Sequence, residues 1–157
     1  MAEIPIILIL VGLAAYTVLG GADFGAGFWE LTARGERGSA LRDHTHRSMA
    51  PVWEANHVWL IFVIVLVFTI FPPVFAALSI ALYIPLSLAL LGIVFRGAAF
   101  IFRTPARGVG PLGDAWDRVF AVASTVTPVF FGMAAGAVAS GQIRVNNGEV
   151  TSSLWTT

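Results

Sequence analysis

The segment Pro51-Val52-Trp53-Glu54-Ala55-Asn56-His57-Val58-Trp59 places an acid, an imidazole, a carboxamide and two indoles inside an otherwise apolar stretch. Glu54 and His57 are three apart, and Trp53 and His57 four apart. On a helix these three share a face, with Asn56 and Trp59 on an adjoining stripe. Such a pair at membrane depth can pass protons, because an imidazole changes charge near neutral pH and drying a carboxyl favours its protonated form. The competing use of the same cluster is an interfacial cap with its tryptophans in the aromatic belt. Glu-x-x-His is also half of a di-iron site, but that site needs a second such pair and two further glutamates, and no second pair exists here. No metal is therefore expected. His44 and His46, in an arginine-rich polar stretch, read as ordinary surface residues.

Two more charged residues stand where an inert anchor has no reason to keep them, at a cost of roughly 2.5 to 3.5 kcal/mol each at a helix centre. Asp23 lies in Gly20-Gly21-Ala22-Asp23-Phe24-Gly25-Ala26-Gly27, whose glycines let another backbone approach closely and leave the carboxyl in a tight, partly dry setting. It reads either as a proton carrier or as a helix-end aspartate hydrated by the following loop. Arg96, among Phe95, Phe100 and Phe102, either snorkels to the interface or is a buried countercharge for Asp23 or Glu54. A guanidinium favours the charged form of the acid it pairs with, so its partner is the poorer carrier. Only one of the two acids can be that partner.

The elements holding these residues follow from composition. Of 157 residues 57% are hydrophobic and 11% charged, with no cysteine, no lysine and a formal net charge of zero. Soluble domains carry about 25% charged residues. The balance gives no footprint for nucleic acid, and the lack of cysteine excludes disulfides, thiolate zinc sites and cysteine nucleophiles. Spans of about 20 apolar residues are needed to cross a bilayer, and four fit, at about 4–31, 50–71, 74–102 and 118–140. The expected fold is an all-α integral membrane protein with one antiparallel four-helix bundle over residues 1–140. Pro51 suits a first helical turn, Pro72-Pro73 ends the second span, and Pro85 and Pro128 predict kinks. Gly132, Ala135 and Gly136 offer a close-packing face. The first span is not read as a signal peptide, since Glu3 and no basic region precedes it.

Residues 33–49 and 103–117 form two polar connections. Arginines in short loops stay cytoplasmic; the first holds Arg34, Arg37, Arg42 and Arg47, and the second Arg103 and Arg107 with Arg118 at its edge. Both termini are therefore expected outside the cytoplasm. The polar tail 141–157, ending near Leu154-Trp155, reads as the start of a longer connection, and the chain as a fragment or half.

Asp23-Phe24-Gly25-Ala26-Gly27, the Pro51 to Leu60 element, and Phe95-Arg96-Gly97 to Phe102-Arg103 occur in an order that resembles the N-terminal half of subunit II of the cytochrome bd-type quinol oxidases, including their cyanide-insensitive relatives. The likeness runs from about Ile7 to Ser140, and its most specific part is Pro-x-Trp-(Asp/Glu)-x-Asn-x-Val-Trp. It implies subunits about twice this length, with two four-helix bundles and an extra helix. It further implies an oxidase of the bacterial inner membrane that oxidises quinol and reduces dioxygen to water, with haems b and d held by a subunit I partner and no haem ligand on this chain. Membrane lipid and quinone are its other expected contacts. By this resemblance Glu54 matches the acid of the tryptophan motif, implicated in a proton path from the cytoplasm, and Asp23 the second acid of an Asp-Gly-Phe-Asp-x-Gly element whose first acid is Gly20 here. His57 stands where glutamine is frequent. The expected proton path is Glu54 with Asp23 and His57, with Arg96 as countercharge and Trp53, Asn56 and Trp59 in support. Two rival classes predict different behaviour: a haem-free scaffold would lose assembled complex on mutation, and a small transporter or channel subunit would pass ions alone.

Overall fold

The structure, a computed structural model, describes residues 3–33, 35–103, 111–146 and 149–152. Arg34, Arg107 and the other residues of 104–110, and Leu154-Trp155 lie outside the described residues, as do the Arg37 and His46 side chains. Five helices, α1 (Glu3–Thr32), α2 (Gly35–Ile70), α3 (Pro72–Ala81), α4 (Tyr83–Phe102) and α5 (Pro111–Ala139), precede a small hairpin of β1 (Arg144–Asn146) and β2 (Glu149–Ser152). Four helical segments, Glu3–Thr32, Arg47–Ile70, Tyr83–Phe102 and Pro111–Ala139, are long and apolar enough to cross a membrane.

Helix α1 continues through its glycine run, since no proline interrupts it and the apolar sequence extends to Trp29. It gives way to α2 through Gly35, whose φ of +64° suits a residue without a Cβ. Here the structure corrects the expected boundary. Residues 35–49 are not a connection but the first turns of α2, and Pro51 sits inside the helix rather than at its start. Charge kept this stretch out of hydrocarbon without keeping it from being helical. From Ser39 to Met49 it contains no glycine or proline, and its Ala, Leu, Arg and Met residues are good helix formers.

The expected span 74–102 is likewise two helices, broken at Leu82 (φ −112°, ψ 16°) rather than kinked at Pro85. A proline ring clashes with the carbonyl four residues back and offers it no N–H. For Pro85 that carbonyl belongs to Ala81, the last residue of α3. Helix α5 begins at Pro111, earlier than the expected 118, with proline in the first turn and Asp114 near the N-terminus, both favourable there. The tail beyond it forms an antiparallel hairpin pairing Val145 with Val150. Ile143 and Val150 pack on the cluster of Ala81, Leu82, Ala134 and Ala137, so the hairpin covers the α3–α4 break.

Contacts fix the helix directions. Gly12 meets Val63 and Gly20 meets Asn56, so α1 and α2 are antiparallel. Gly92 lies against Thr127, and Phe100 lies 6.0 Å from Phe120, so α4 and α5 are antiparallel too. Gly27 touches Ser124 where α1 crosses α5, and Trp53 stacks on Phe100 at 5.4 Å where α2 meets α4. The ring of four long helices leaves α1 and α4 diagonal and parallel. Its interior inverts that of a soluble protein. Arg96, Arg103, Asn56 and Asp23 are among the largest fully buried side chains, while Val18 is 73% and Leu90 62% exposed. Apolar side chains turned outward with polar groups held inside suit a lipid surround.

Candidate functional site

Asp23 projects from the third-last turn of α1 into the bundle and is fully buried. Gly27, one turn on, permits the depth: a Cβ there would overlap Ser124 of α5. Arg96 of α4 reaches Asp23 across the diagonal. Its Nη1 donates to Oδ2 at 2.9 Å, its Nη2 donates to Oδ1 and, at 3.1 Å, to the Asp23 backbone carbonyl, and its Nε donates to Ser124 Oγ at 2.8 Å. Asn56 Nδ2, from α2, donates to Oδ2 at 3.0 Å. The guanidinium carbon lies 4.9 Å from the Phe24 ring centre and 5.0 Å from that of Phe120. All four long helices thus contribute to one fork-to-fork ion pair, the arrangement in which buried opposite charges best offset their lost hydration. Of the two acids open to Arg96, its partner is Asp23.

Glu54 has a different setting. It is two residues from Asn56, about 200° around the helix, and it is exposed on the outward side of α2 within the apolar segment Arg47–Ile70. Val58 and Ile61, 64% and 58% exposed, continue that outward face. His57 is half-buried beside it. Its Nδ1 donates to the Trp53 carbonyl at 3.0 Å, which leaves Nε2 as the acceptor of the neutral ring. The Trp53 and His57 rings are 4.7 Å apart. Trp59 stands a turn further on against Phe62 and joins neither group. The structure therefore brings Asp23, Asn56 and Arg96 together, sets Trp53 and His57 against each other, and leaves Glu54 outside.

One seven-residue step toward the α1–α2 turn, a second diagonal pair repeats the first. Arg103 Nη1 donates to Glu30 Oε2 at 2.9 Å and Oε1 at 3.2 Å, with both side chains buried. The Arg103 guanidinium carbon lies 4.1 Å from the Phe120 ring centre. Neither residue stood out as a candidate in the sequence, although the signal was there: 23 to 30 on one helix and 96 to 103 on another are equal seven-residue steps, which keep both pairs on one face of parallel helices. Beyond Glu30 a cavity of about 530 Å³ opens, lined also by Arg42, Asp114, Asp117 and Arg118. In it Arg42 and Asp117 form a partly exposed ion pair at 3.5 Å.

The family model for cytochrome bd terminal oxidase subunit II matches residues 1–157. The chain is 31% identical over 135 residues to the cytochrome bd-I ubiquinol oxidase subunit 2 of Escherichia coli strain K12, covering 86% of this chain and 35% of that protein. It is 31% identical over 127 residues to the cytochrome bd ubiquinol oxidase subunit 2 of Bacillus subtilis strain 168, covering 81% of this chain and 37% of that protein. The match spans about a third of the length of these curated relatives. No solved structure matches. With its four apolar helices, its buried acid–arginine centre and a match along its whole length, the chain belongs to the cytochrome bd terminal oxidase subunit II family.

Proposed function

We propose that this chain is a bundle of the second subunit of a bd-type quinol:dioxygen oxidoreductase in the bacterial inner membrane. In this reading it packs against a haem-bearing partner and passes protons to it from the cytoplasmic side through Glu54, with His57 beside it. The cytoplasmic side is the end bearing the α1–α2 turn, as arginine placement favours. Glu54 carries the argument. A carboxyl facing hydrocarbon costs up to roughly 2.5 to 3.5 kcal/mol on insertion scales, the full value applying at a helix centre, and among the described residues Glu54 has no hydrogen bond or ion pair on the outward side of α2. A partner subunit seated on that side would supply one and would receive its proton. Asp23 serves this role less well, because both its oxygens are taken by Arg96 and Asn56. It acts as a fixed charge that orders the bundle.

The test is to replace Glu54 by alanine and by glutamine in the assembled oxidase. Turnover should fall in both, with the haem spectrum and yield of the complex intact. Normal turnover in either variant overturns the relay. The scaffold role of the diagonal pairs has its own signature. Asp23→Ala should lower the amount of assembled complex while leaving the activity per haem of the surviving fraction close to wild type.

A further inference from the structure

We propose that the two diagonal ion pairs, with Phe120 packed against both, form a barrier that closes the interior of the bundle to protons. The inference goes beyond the proposed function: it needs the helices to cross the membrane and does not depend on Glu54. A barrier is required because of what leads to it. The 530 Å³ cavity carries charged groups from the start of α5 and from α2, a wall that suits water, and its inner end is Glu30, already inside the ring of helices. From Glu30 a column of buried polar groups continues through Arg103, Arg96 and Asp23 to Asn56. Titratable groups in series at membrane depth are the ordinary material of a proton wire.

Three features make this column a stop instead. Two of its members are guanidinium groups, which do not deprotonate and so cannot relay a proton through themselves. The carboxylates that would accept a proton are each held by one of those arginines. The fully buried Phe120 ring packs against both guanidiniums, so the two pairs meet at an apolar aromatic surface. Each pair is internally neutral, which keeps two buried positive charges tolerable in a lipid surround.

The test uses the oxidase complex containing this chain, reconstituted into vesicles with an internal pH dye and no quinol, so that no turnover occurs. An external acid step with a potassium ionophore then reports passive proton movement. The unmodified complex should leak no faster than protein-free vesicles. Glu30→Gln with Arg103→Gln, combined with Asp23→Asn and Arg96→Gln, replaces both pairs of charges by neutral amides, and the two shortened arginine positions lose their guanidinium contacts and leave room for water. With haem content as in the wild type, this variant should admit protons about tenfold faster or more. Equal leak in a correctly assembled variant overturns the proposal. So does a passive leak through the otherwise unmodified complex that persists with Glu54→Gln, which closes the relay of the proposed function; this holds even if the fourfold variant fails to assemble. Because no turnover is measured, failure of the Glu54 relay leaves this result unaffected.

Discussion

Arg96→Gln is the sharpest perturbation of the diagonal centre. The substitution removes both guanidinium contacts to the Asp23 carboxylate, the one to its backbone carbonyl and the one to Ser124, leaving Asn56 as the donor to Oδ2. Summing hydrogen bonds to charged groups at about 1.5 to 3 kcal/mol each would overshoot, since they share one ion. Removing one partner of a buried pair costs about 3 to 5 kcal/mol, chiefly because the other charge stays buried without compensation. Asp23→Asn should cost a similar amount for the same reason, stranding the arginine. The double variant should then be less destabilised than the two singles added together, by about 2 kcal/mol or more. The Arg42–Asp117 pair is an internal control. At 3.5 Å and 26% exposure on each side, its coupling should stay below about 1 kcal/mol. Reversible unfolding of the chain in mixed micelles, run as two double-mutant cycles, measures both. Additive effects at Asp23 and Arg96, or coupling equal to that of the partly exposed pair, would refute the reasoning.

Two further substitutions test the packing. Gly27→Ala forces a Cβ into Ser124 and should cost about 1 to 3 kcal/mol by prising α1 from α5, whereas Gly25→Ala, where nothing lies within 4 Å, should be neutral or stabilising in the same unfolding assay. Pro85→Ala returns an N–H to face the Ala81 carbonyl and should join α3 to α4, read as slower amide exchange across residues 82–86.

The apolar spans were legible because hydropathy reports the solvent a segment prefers. The same measure misplaced the start of α2, since residues 35–49 avoid hydrocarbon yet are helical. Proline was read at the right residue with its effect in the wrong place: the break falls at Leu82 because the clash of Pro85 is with the carbonyl one turn earlier. Arg96 could be narrowed to two partners from sequence, and the choice between them depends on which face of α2 carries Glu54, a matter of helix rotation that spacing alone leaves open. Asn56 lies on the inward stripe and Glu54 on the outward one. Glu30 and Arg103 escaped notice because each sits at the end of an apolar run, where a charge looks interfacial.

The charge balance of the diagonal centre bears on Gly20. The resemblance implies an acid at this position, one turn before Asp23. A Cβ on Gly20 would lie 3.6 Å from Asn56 Oδ1 and 3.7 Å from the Phe24 ring, so a side chain there would grow toward the same buried centre. Asn56 Oδ1 is itself an acceptor with no partner among the described residues, and it could not offset a second carboxylate. One guanidinium stands at this level, and its donors are already divided among Asp23 and Ser124. A second ionised acid would leave a net negative charge in a dry interior, where an unpaired ion is costly. With glycine at 20 the centre is neutral, and the proton-carrying role in the proposed function falls to Glu54 on the outer side of α2.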